Sequence, residues 1–459
     1  VNDKSDMEKL LALALRDHDL IPAGGHVLVA VSGGIDSVSL LFALLVFARQ
    51  SSQFQISVAH LDHCLRPTSF HDANFVKRLC DEWGVACHVG KVDVQELSRS
   101  TGRGIEEAGR DARRAFLCQV AQEQGCTRIA LAHHMDDQAE TVLFRLTRGC
   151  AVSGLVAMAW QQGDFIRPLL GVSRATIEGY WQQHSLPFVD DVTNAHLRFS
   201  RNRIRHQVLP ALREINPEVA LCLSRLASKV SLEESYWRQR IDQFLDGAVC
   251  VGVGELRVGC ENLSVLHPAL RMRVIRECLQ RVRGDLYCIE SVHIESVDAL
   301  LGSDRPQVQL DLPRAWVAKR YDDMVFRVHA PVLAAPFRFS VAAPGRYPLP
   351  DGRTLSVDVA EASIGETPLR VEFDADLVAF PLCLRTVQAG DKMSCVGMAG
   401  RKKVKELFAE NCVEMERRAS SMVLESDQGI MWLLDIRRSG DCLVNDKTTR
   451  VLIVTISID

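Results

Sequence analysis

The chain is 459 residues long, enough for about three domains of ordinary size, and its 47% hydrophobic and 24% charged residues are those of a soluble globular protein, which excludes a disordered or fibrous chain. Fifteen cysteines occur without a C-x-x-C pair or a regular spacing, so a disulfide framework, a zinc ribbon and a cysteine-held iron–sulfur cluster all lack support, and reduced thiols in a cytoplasm are expected. A net charge of −4 gives no global sign of nucleic-acid binding.

Residues Val1 to Arg16 mix acids with bases and space Met7, Leu10, Leu11 and Leu15 along one helix face; they lack the basic, apolar, small-residue order of a signal peptide. His26-Val-Leu-Val-Ala-Val31 then predicts a strand, Ser32-Gly-Gly-Ile-Asp-Ser37 a tight turn, and Val38 to Ala48 a buried helix. This apolar run is well short of the roughly 20 residues that span a bilayer, so no membrane is expected as partner. The turn suits phosphate. Gly33 and Gly34 can take positive φ and admit a ligand against the backbone, while the helix behind them aims unpaired N–H groups and its positive dipole end at the same spot. Ser32 and Ser37 add hydroxyl donors, but the lysine of G-x-x-x-x-G-K-[ST] is missing, which disfavours a nucleotide kinase or GTPase. A carboxylate at Asp36 would repel phosphates unless a divalent cation were shared, so magnesium held by Asp36 is expected. The competing reading is an ordinary turn with Asp36 or Ser37 capping the helix.

Strands are predicted at Phe54–Asp62, Val85–Val89 and Arg128–Ala132, with helices at Phe70–Trp83, Ile105–Gln124 and Asp136–Arg148. Such alternation implies a doubly wound, mostly parallel sheet with ligands at the carboxyl ends of its strands. Ser32 to Ser37, His60 to Arg66 and His133 to Glu140 all lie at or just beyond such ends and should converge in one cleft. In the second stretch His60, Asp62 and His63 offer a metal site, but their spacing splays the side chains to opposite faces, and contacts of His60 or Asp62 to adenosine or ribose suit it better. Arg110 and Arg113 fall one helical turn apart, and Arg110 with Glu106 or Glu107 reads as a surface pair. Asp137 and Glu140 have the spacing of a helix cap, which does not exclude chemistry at a strand end. His133 and His134 should face opposite ways, so at most one enters the cleft.

Further on, Gly171–Tyr180 reads as a capped helix and Leu186–Asn194 as an extended turn. From His196 to Arg213 come five arginines, two histidines and no acid, and Arg401-Lys-Lys-Val-Lys405 forms a second basic cluster; either suits a phosphate backbone or a solvated face. A boundary is expected near Asn216. Helices at Leu221–Leu245 and Leu266–Leu279 with strands at Val308–Leu312 and Met324–Val328 make 217–330 a smaller, mainly helical domain. After the Pro-, Ala- and Gly-bearing stretch Pro331–Pro350, the rest is strand-like except for a helix around Val404–Glu410, which makes 331–459 an α+β domain.

Taken together, Ser32-Gly-Gly-Ile-Asp-Ser37, His60-x-Asp-His63 with Leu65-Arg-Pro67, Glu107-Ala-x-Arg-x-x-Arg113, Ala132-His-His-x-Asp-Asp-Gln-Ala-Glu-Thr141, and Asp191-x-x-Asn194 before Arg201-Asn-x-Ile-Arg205 resemble the tRNA(Ile)-lysidine synthetase family of PP-loop ATP pyrophosphatases. Arg385-Thr-Val-Gln-Ala-Gly-Asp391 and Lys402-Lys-Val-Lys-Glu-Leu-Phe408 resemble its tail domain. The resemblance implies a PP-loop ATPase fold, related to the adenine nucleotide α-hydrolases, at 1–216, a tRNA-substrate-binding domain at 217–330 and a tRNA-binding domain at 331–459. It further implies ATP and Mg2+, an isoleucine tRNA with a CAU anticodon, and free L-lysine joined to the wobble cytidine through an adenylated intermediate. It assigns Ser32, Gly33, Gly34, Ile35, Asp36 and Ser37 to ATP phosphates and magnesium, and His60 to the nucleoside end. His133, Asp137 and Glu140 go to the reacting centre and Arg113 and Arg205 to phosphate or substrate charge. Asp137 or Glu140 is then the base that takes the lysine proton. The sequence departs from the family pattern at Cys150-Ala151, Gly109 and Arg114, and by the lack of a proline in Cys412-Val-Glu-Met-Glu-Arg417. Rival readings are a tRNA thiolase, whose cluster-binding members need the absent C-x-x-C pairs, and a small-molecule amidase-type ligase. Oligomeric state is left open, a homodimer included.

Overall fold

The computed structural model describes residues 6–51, 54–64, 69–189, 200–252, 254–332, 335–349, 351–398 and 400–458. The expected motif positions Leu65–Pro67, Asp191, Asn194 and Arg198 lie outside the described residues. The chain divides into two compact units, Val1–Arg238 and Gln239–Asp459.

The first unit opens with α1 (Asp6–Asp17), which buries Met7, Leu11 and Leu15 as their spacing requires. Then come β1 (His26–Ala30), α2 (Ile35–Ser51), β2 (Gln55–Asp62), α3 (Ser69–Trp83), β3 (Ala86–Lys91), α4 (Val94–Thr101), α5 (Ile105–Glu123), β4 (Arg128–Ala130), α6 (Met135–Thr147), β5 (Gln161–Gln162), β6 (Phe165–Ile166) and α7 (Arg174–His184). The sheet order is β3-β2-β1-β4-β6-β5, parallel throughout except for the β5–β6 hairpin. Strand β1 is covered on both faces. Val27 and Val29 join the cluster built with Val38, Leu41 and Leu44 of α2, while Leu28 joins the opposite cluster with Leu117 and Val120 of α5. Each such side chain, wholly removed from water, contributes roughly 1.5–3 kcal/mol before conformational entropy is subtracted. Because successive strands run outward from β1 to β2 and β3 and then return to β4 on its other side, the order reverses between β1 and β4. That reversal opens a crevice at their carboxyl ends.

The described part of the basic segment is helical: α8 (Ser200–Arg203) runs through a wide turn at Ile204–Val208 into α9 (Leu209–Ile215), where Pro210 sits in the first turn and needs no N–H partner. Helix α10 (Val219–Ala248) follows, and the division between the units falls within it.

The second unit holds β7 (Val249–Gly252), β8 (Glu255–Gly259), α11 (Cys260–Ser264), α12 (Pro268–Arg283), α13 (Ser291–Leu301), β9 (Gln307–Leu312), β10 (Ala315–Arg320) and β11 (Asp323–Arg327). Its first sheet is antiparallel, ordered β7-β8-β11-β10-β9, and packs Val258, Val317, Met324 and Phe326 against Val274, Ile275, Cys278 and Leu279 of α12. The two strands read from the sequence here are β9 and β11; three more complete the sheet.

Beyond them lie β12 (Arg338–Val341), β13 (Gly345–Pro348), β14 (Arg353–Ala360), β15 (Arg370–Asp374), β16 (Leu382–Thr386), β17 (Lys392–Ser394), β18 (Arg401–Lys403), α14 (Val404–Glu410), α15 (Met415–Ser420), β19 (Met422–Ser426), β20 (Gly429–Leu433), β21 (Arg437–Arg438) and β22 (Val451–Ile458). The antiparallel sheets β12-β16-β19-β20-β21 and β13-β14-β22-β15 share one core around Phe373, Leu384, Leu424, Trp432, Leu452 and Val454.

Candidate active site

A cleft of about 460 Å3 lies at the β1/β4 reversal, lined by residues that include Ser32, Gly34, Ile35, Asp36, Ser37, His60, Arg113, His133, Asp137, Arg174 and Arg205. The three stretches expected to converge do so.

The loop after β1 is held by its own polar atoms. Ser37 Oγ donates to the Gly34 carbonyl at 3.0 Å and accepts from the Ser32 N–H at 3.2 Å. Gly33 has φ +95°, a conformation that L side chains rarely adopt, and its carbonyl accepts from the Val189 N–H at 3.0 Å. Gly33 therefore sets the shape of the loop. The Asp36 carboxylate pairs with the Arg174 guanidinium through Oδ2, whereas Oδ1 is buried with no partner. Burial raises the Asp36 carboxyl above its ordinary value, against the lowering pull of His134 and Arg174.

His60, on β2 and 5% exposed, is fixed by a 2.8 Å bond between Nδ1 and the Val31 carbonyl, so it carries Nδ1–H and turns Nε2 elsewhere. Its neighbour His63 does something the sequence did not announce. The Arg113 guanidinium donates to His63 Nε2 at 3.1 Å, which requires a neutral ring, and burial followed by the charge of Arg113 lowers the His63 pKa to about 4. Arg113 itself lines the cleft, while Arg110 pairs with Glu106 at 3.5 Å on the surface. Among the described residues no group of three His, Cys, Asp or Glu side chains is placed to hold a metal ion.

The reading of Asp137 as a cap needs correcting by one turn. His134 is the N-cap of α6, and Asp137 is the third helical residue, accepting from the His134 N–H through Oδ2 at 3.0 Å. Glu140 is not part of a cap and does not line the cleft. It is 5% exposed and grips Arg205 twice, Nε to Oε1 at 2.6 Å and NH2 to Oε2 at 2.9 Å, while the same NH2 reaches Asp137 Oδ1 at 2.9 Å. Burial raises the Glu140 carboxyl more than Arg205 lowers it. Burial pushes Asp137 the same way, but His134, the His134 N–H and the charge of Arg205 outweigh it and hold that carboxyl below its ordinary value. Of the two histidines, His133 lines the cleft and His134 does not, as alternation requires. His133 Nδ1 is buried without a partner, and burial lowers its pKa to about 4, so the ring enters the cleft neutral.

Two contributors, Arg174 and Asp136, went unread in the sequence, and a third, His63, was read only as a possible metal ligand. Arg174, the first residue of α7, lines the cleft opposite the loop. Asp136 accepts from the Arg174 N–H at 2.8 Å and pairs with Arg213, tying α6 to α7 and to α9. His63 positions Arg113. No spacing rule marks any of these pairs, because their partners lie far apart in sequence; only the Ser173 cap signals where Arg174 would sit.

Family matches cover residues 5–212 (PP-loop domain), 260–326 (TilS substrate binding domain) and 382–454 (TilS substrate C-terminal domain). The tRNA(Ile)-lysidine synthase of Geobacter sulfurreducens is 33% identical over 448 residues, covering 96% of this chain and 95% of the relative. The chain belongs to the tRNA(Ile)-lysidine synthase family. The Geobacillus kaustophilus enzyme of the same name is 32% identical over 433 residues, 92% of this chain and 93% of its own. A solved U34-tRNA thiolase from Methanococcus maripaludis aligns with 49% of this chain and 78% of its own length at 16% identity and a TM-score of 0.43. The chain is thus a ligase of tRNA cytidine modification that forms a carbon–nitrogen bond and uses ATP. Among the described residues no helix is long and apolar enough to cross a membrane.

Proposed function

We propose that this chain joins free L-lysine to the wobble cytidine of a CAU-anticodon isoleucine tRNA, by way of an adenylated cytidine. One observation carries the reading: an anion-binding loop and a separate set of His133, Asp137 and Arg205 open into one cleft from neighbouring strand ends. A loop alone would bind nucleotide; the second set supplies groups for a second reaction at the same place.

In the first step the ring carbonyl oxygen of cytidine attacks the α-phosphorus of ATP and pyrophosphate leaves. The amides and hydroxyls of Ser32 to Ser37 hold the phosphate oxygens, with His60 toward the nucleoside, and Arg113, kept in place by His63, offsets charge that grows on the phosphates. Magnesium fits at Asp36, whose buried Oδ1 has no other partner and is a hard oxygen ligand; when bound it neutralises phosphate charge.

In the second step the lysine amine attacks the ring carbon and AMP leaves. An amine with a pKa near 10.4 is neutral in only about one molecule in 2,500 at pH 7. Arg205 disfavours a second cation beside it, and Asp137, ionised and facing the cleft, binds the ammonium and takes its proton. Glu140 serves by holding Arg205, and His133 offers a neutral ring to the reacting centre.

Residues 217–330 and 331–459, the divisions expected from the sequence, are assigned to tRNA binding; the family matches at 260–326 and 382–454 support this. A cytoplasm supplies all three substrates, and no step requires a second copy of the chain. The test is AMP release measured with and without lysine and with and without a CAU-anticodon transcript. Release that needs both agrees; release without lysine favours a thiolase-type reaction, and release without tRNA a small-molecule ligase.

A further inference from the structure

The cleft contains three arginines, and two have partners that explain their presence: His63 for Arg113, and Asp137 with Glu140 for Arg205. Arg174 is different. Its guanidinium reaches across to Asp36, the carboxylate in the phosphate loop, while its Nε donates to Glu178 Oε1 at 2.8 Å on the outer side of α7. The backbone beneath it is fixed, with Ser173 capping α7 and the Arg174 N–H bonded to Asp136 at 2.8 Å. Among the described residues the side chain beyond it is held only by the ion pairs to Asp36 and Glu178, and it is 35% exposed.

We propose that Arg174 is a pyrophosphate-binding residue which, in the nucleotide-free cleft, serves as the counter-ion of Asp36. This deepens the reading of the cleft as an ATP site and rests on it. A carboxylate partly withdrawn from water is costly to leave unpaired, so the empty loop needs a cation. When ATP enters with its metal, Asp36 passes from the guanidinium to the magnesium ion, and Arg174 passes to the oxygens of the β and γ phosphates. The exchange swaps one pair of oppositely charged partners for another. A guanidinium also suits the leaving group, because its fork matches two oxygens of a phosphate. Arg174 would then stay with pyrophosphate as the α–β bond breaks.

AMP lacks the two phosphates that Arg174 is assigned to hold, so the ratio of ATP to AMP affinity reads the proposal directly. The full-length chain carrying Arg174→Ala is titrated with ATP and, separately, with AMP, each with magnesium. Loss of one charge-assisted contact is expected to weaken ATP about tenfold or more and leave AMP within about twofold. Inorganic pyrophosphate, as a product inhibitor, should weaken in step. Arg174→Gln, which is shorter and uncharged but keeps a polar N–H donor on the side chain, gives a second reading of the same ratio should the alanine variant fold poorly. An unchanged ratio in either folded variant overturns the proposal and leaves Arg174 as a tie between α7 and the loop. If the unaltered chain itself fails to bind ATP, the ATP reading of the cleft fails first, and the proposal with it.

Discussion

At the scale of single residues, the two carboxylates of α6 have been given separate tasks by their surroundings. Asp137 faces the cleft and Glu140 lies behind it on Arg205. Asp137→Asn keeps an oxygen for the His134 N–H but loses the ion pair to Arg205, so melting should fall modestly, while lysine transfer is expected to fall at least 100-fold, the ordinary worth of a positioned base. Glu140→Gln should instead act through Arg205, with a rate loss of about tenfold and a lower melting temperature. Wild-type transfer rates in both folded variants would refute the assignment. His63 gives a pH prediction. Its folded pKa of about 4 lies below the ordinary 6.5, so the unfolded chain binds the extra proton first. The stability His63 contributes is complete above pH 6.5 and drains away as pH falls toward 4. Melting temperatures of the unaltered chain and of His63→Asn, compared across that window, should converge or cross on acidification; a gap independent of pH would show that the ring is not held neutral. The sequence made the individual groups legible, His60, Arg113, His133, Asp137 and Arg205 among them, because each stands in a dense local pattern. It could not show which carboxylate faces the cleft, since that depends on Arg205, 65 residues beyond Glu140.

At the scale of elements, strand, loop and helix from His26 to Ser51 were readable because an all-apolar strand has only one stable place, the middle of a sheet covered on both faces. The two-residue strands β5 and β6 and the short helix α4 were not, because segments of that length carry no period to detect. The cap of α6 was misplaced by one turn for a related reason: an Asp at the third helical position and an Asp at the cap leave the same acidic signature. The loop glycine permits a sharp test. A Cβ at Gly33 would meet Phe75 and Val76 no closer than 3.6 Å, so space is available and the cost is the backbone at φ +95°. Gly33→Ala is expected to lower stability by about 1–3 kcal/mol and to weaken ATP binding, read by melting and titration. Unchanged ATP affinity would mean that the loop does not cradle phosphate.

At the scale of the whole molecule, the family resemblance spread motifs along nearly the full chain, and the matches to 5–212, 260–326 and 382–454 follow the same order. The antiparallel sheets of the second unit were less legible than the parallel sheet of the first. Strands such as β10, with Ala315 to Ala318 buried throughout, do not alternate between apolar and polar residues. The basic cluster Arg401 to Lys405 lies on β18 and the start of α14, with Arg401, Lys403 and Lys405 exposed. Replacing those three with glutamine should weaken tRNA binding and flatten the slope of log affinity against log salt; affinity unchanged at every salt concentration would remove the cluster from the tRNA surface. The central claim is that one cleft moves AMP onto a cytidine and then replaces it with lysine. Its most direct measurement is mass analysis of nucleosides from an unmodified CAU-anticodon transcript incubated with the enzyme, ATP and lysine. The account predicts a single cytidine carrying one lysine at the wobble position; an unaltered cytidine beside AMP formed at full rate would contradict it.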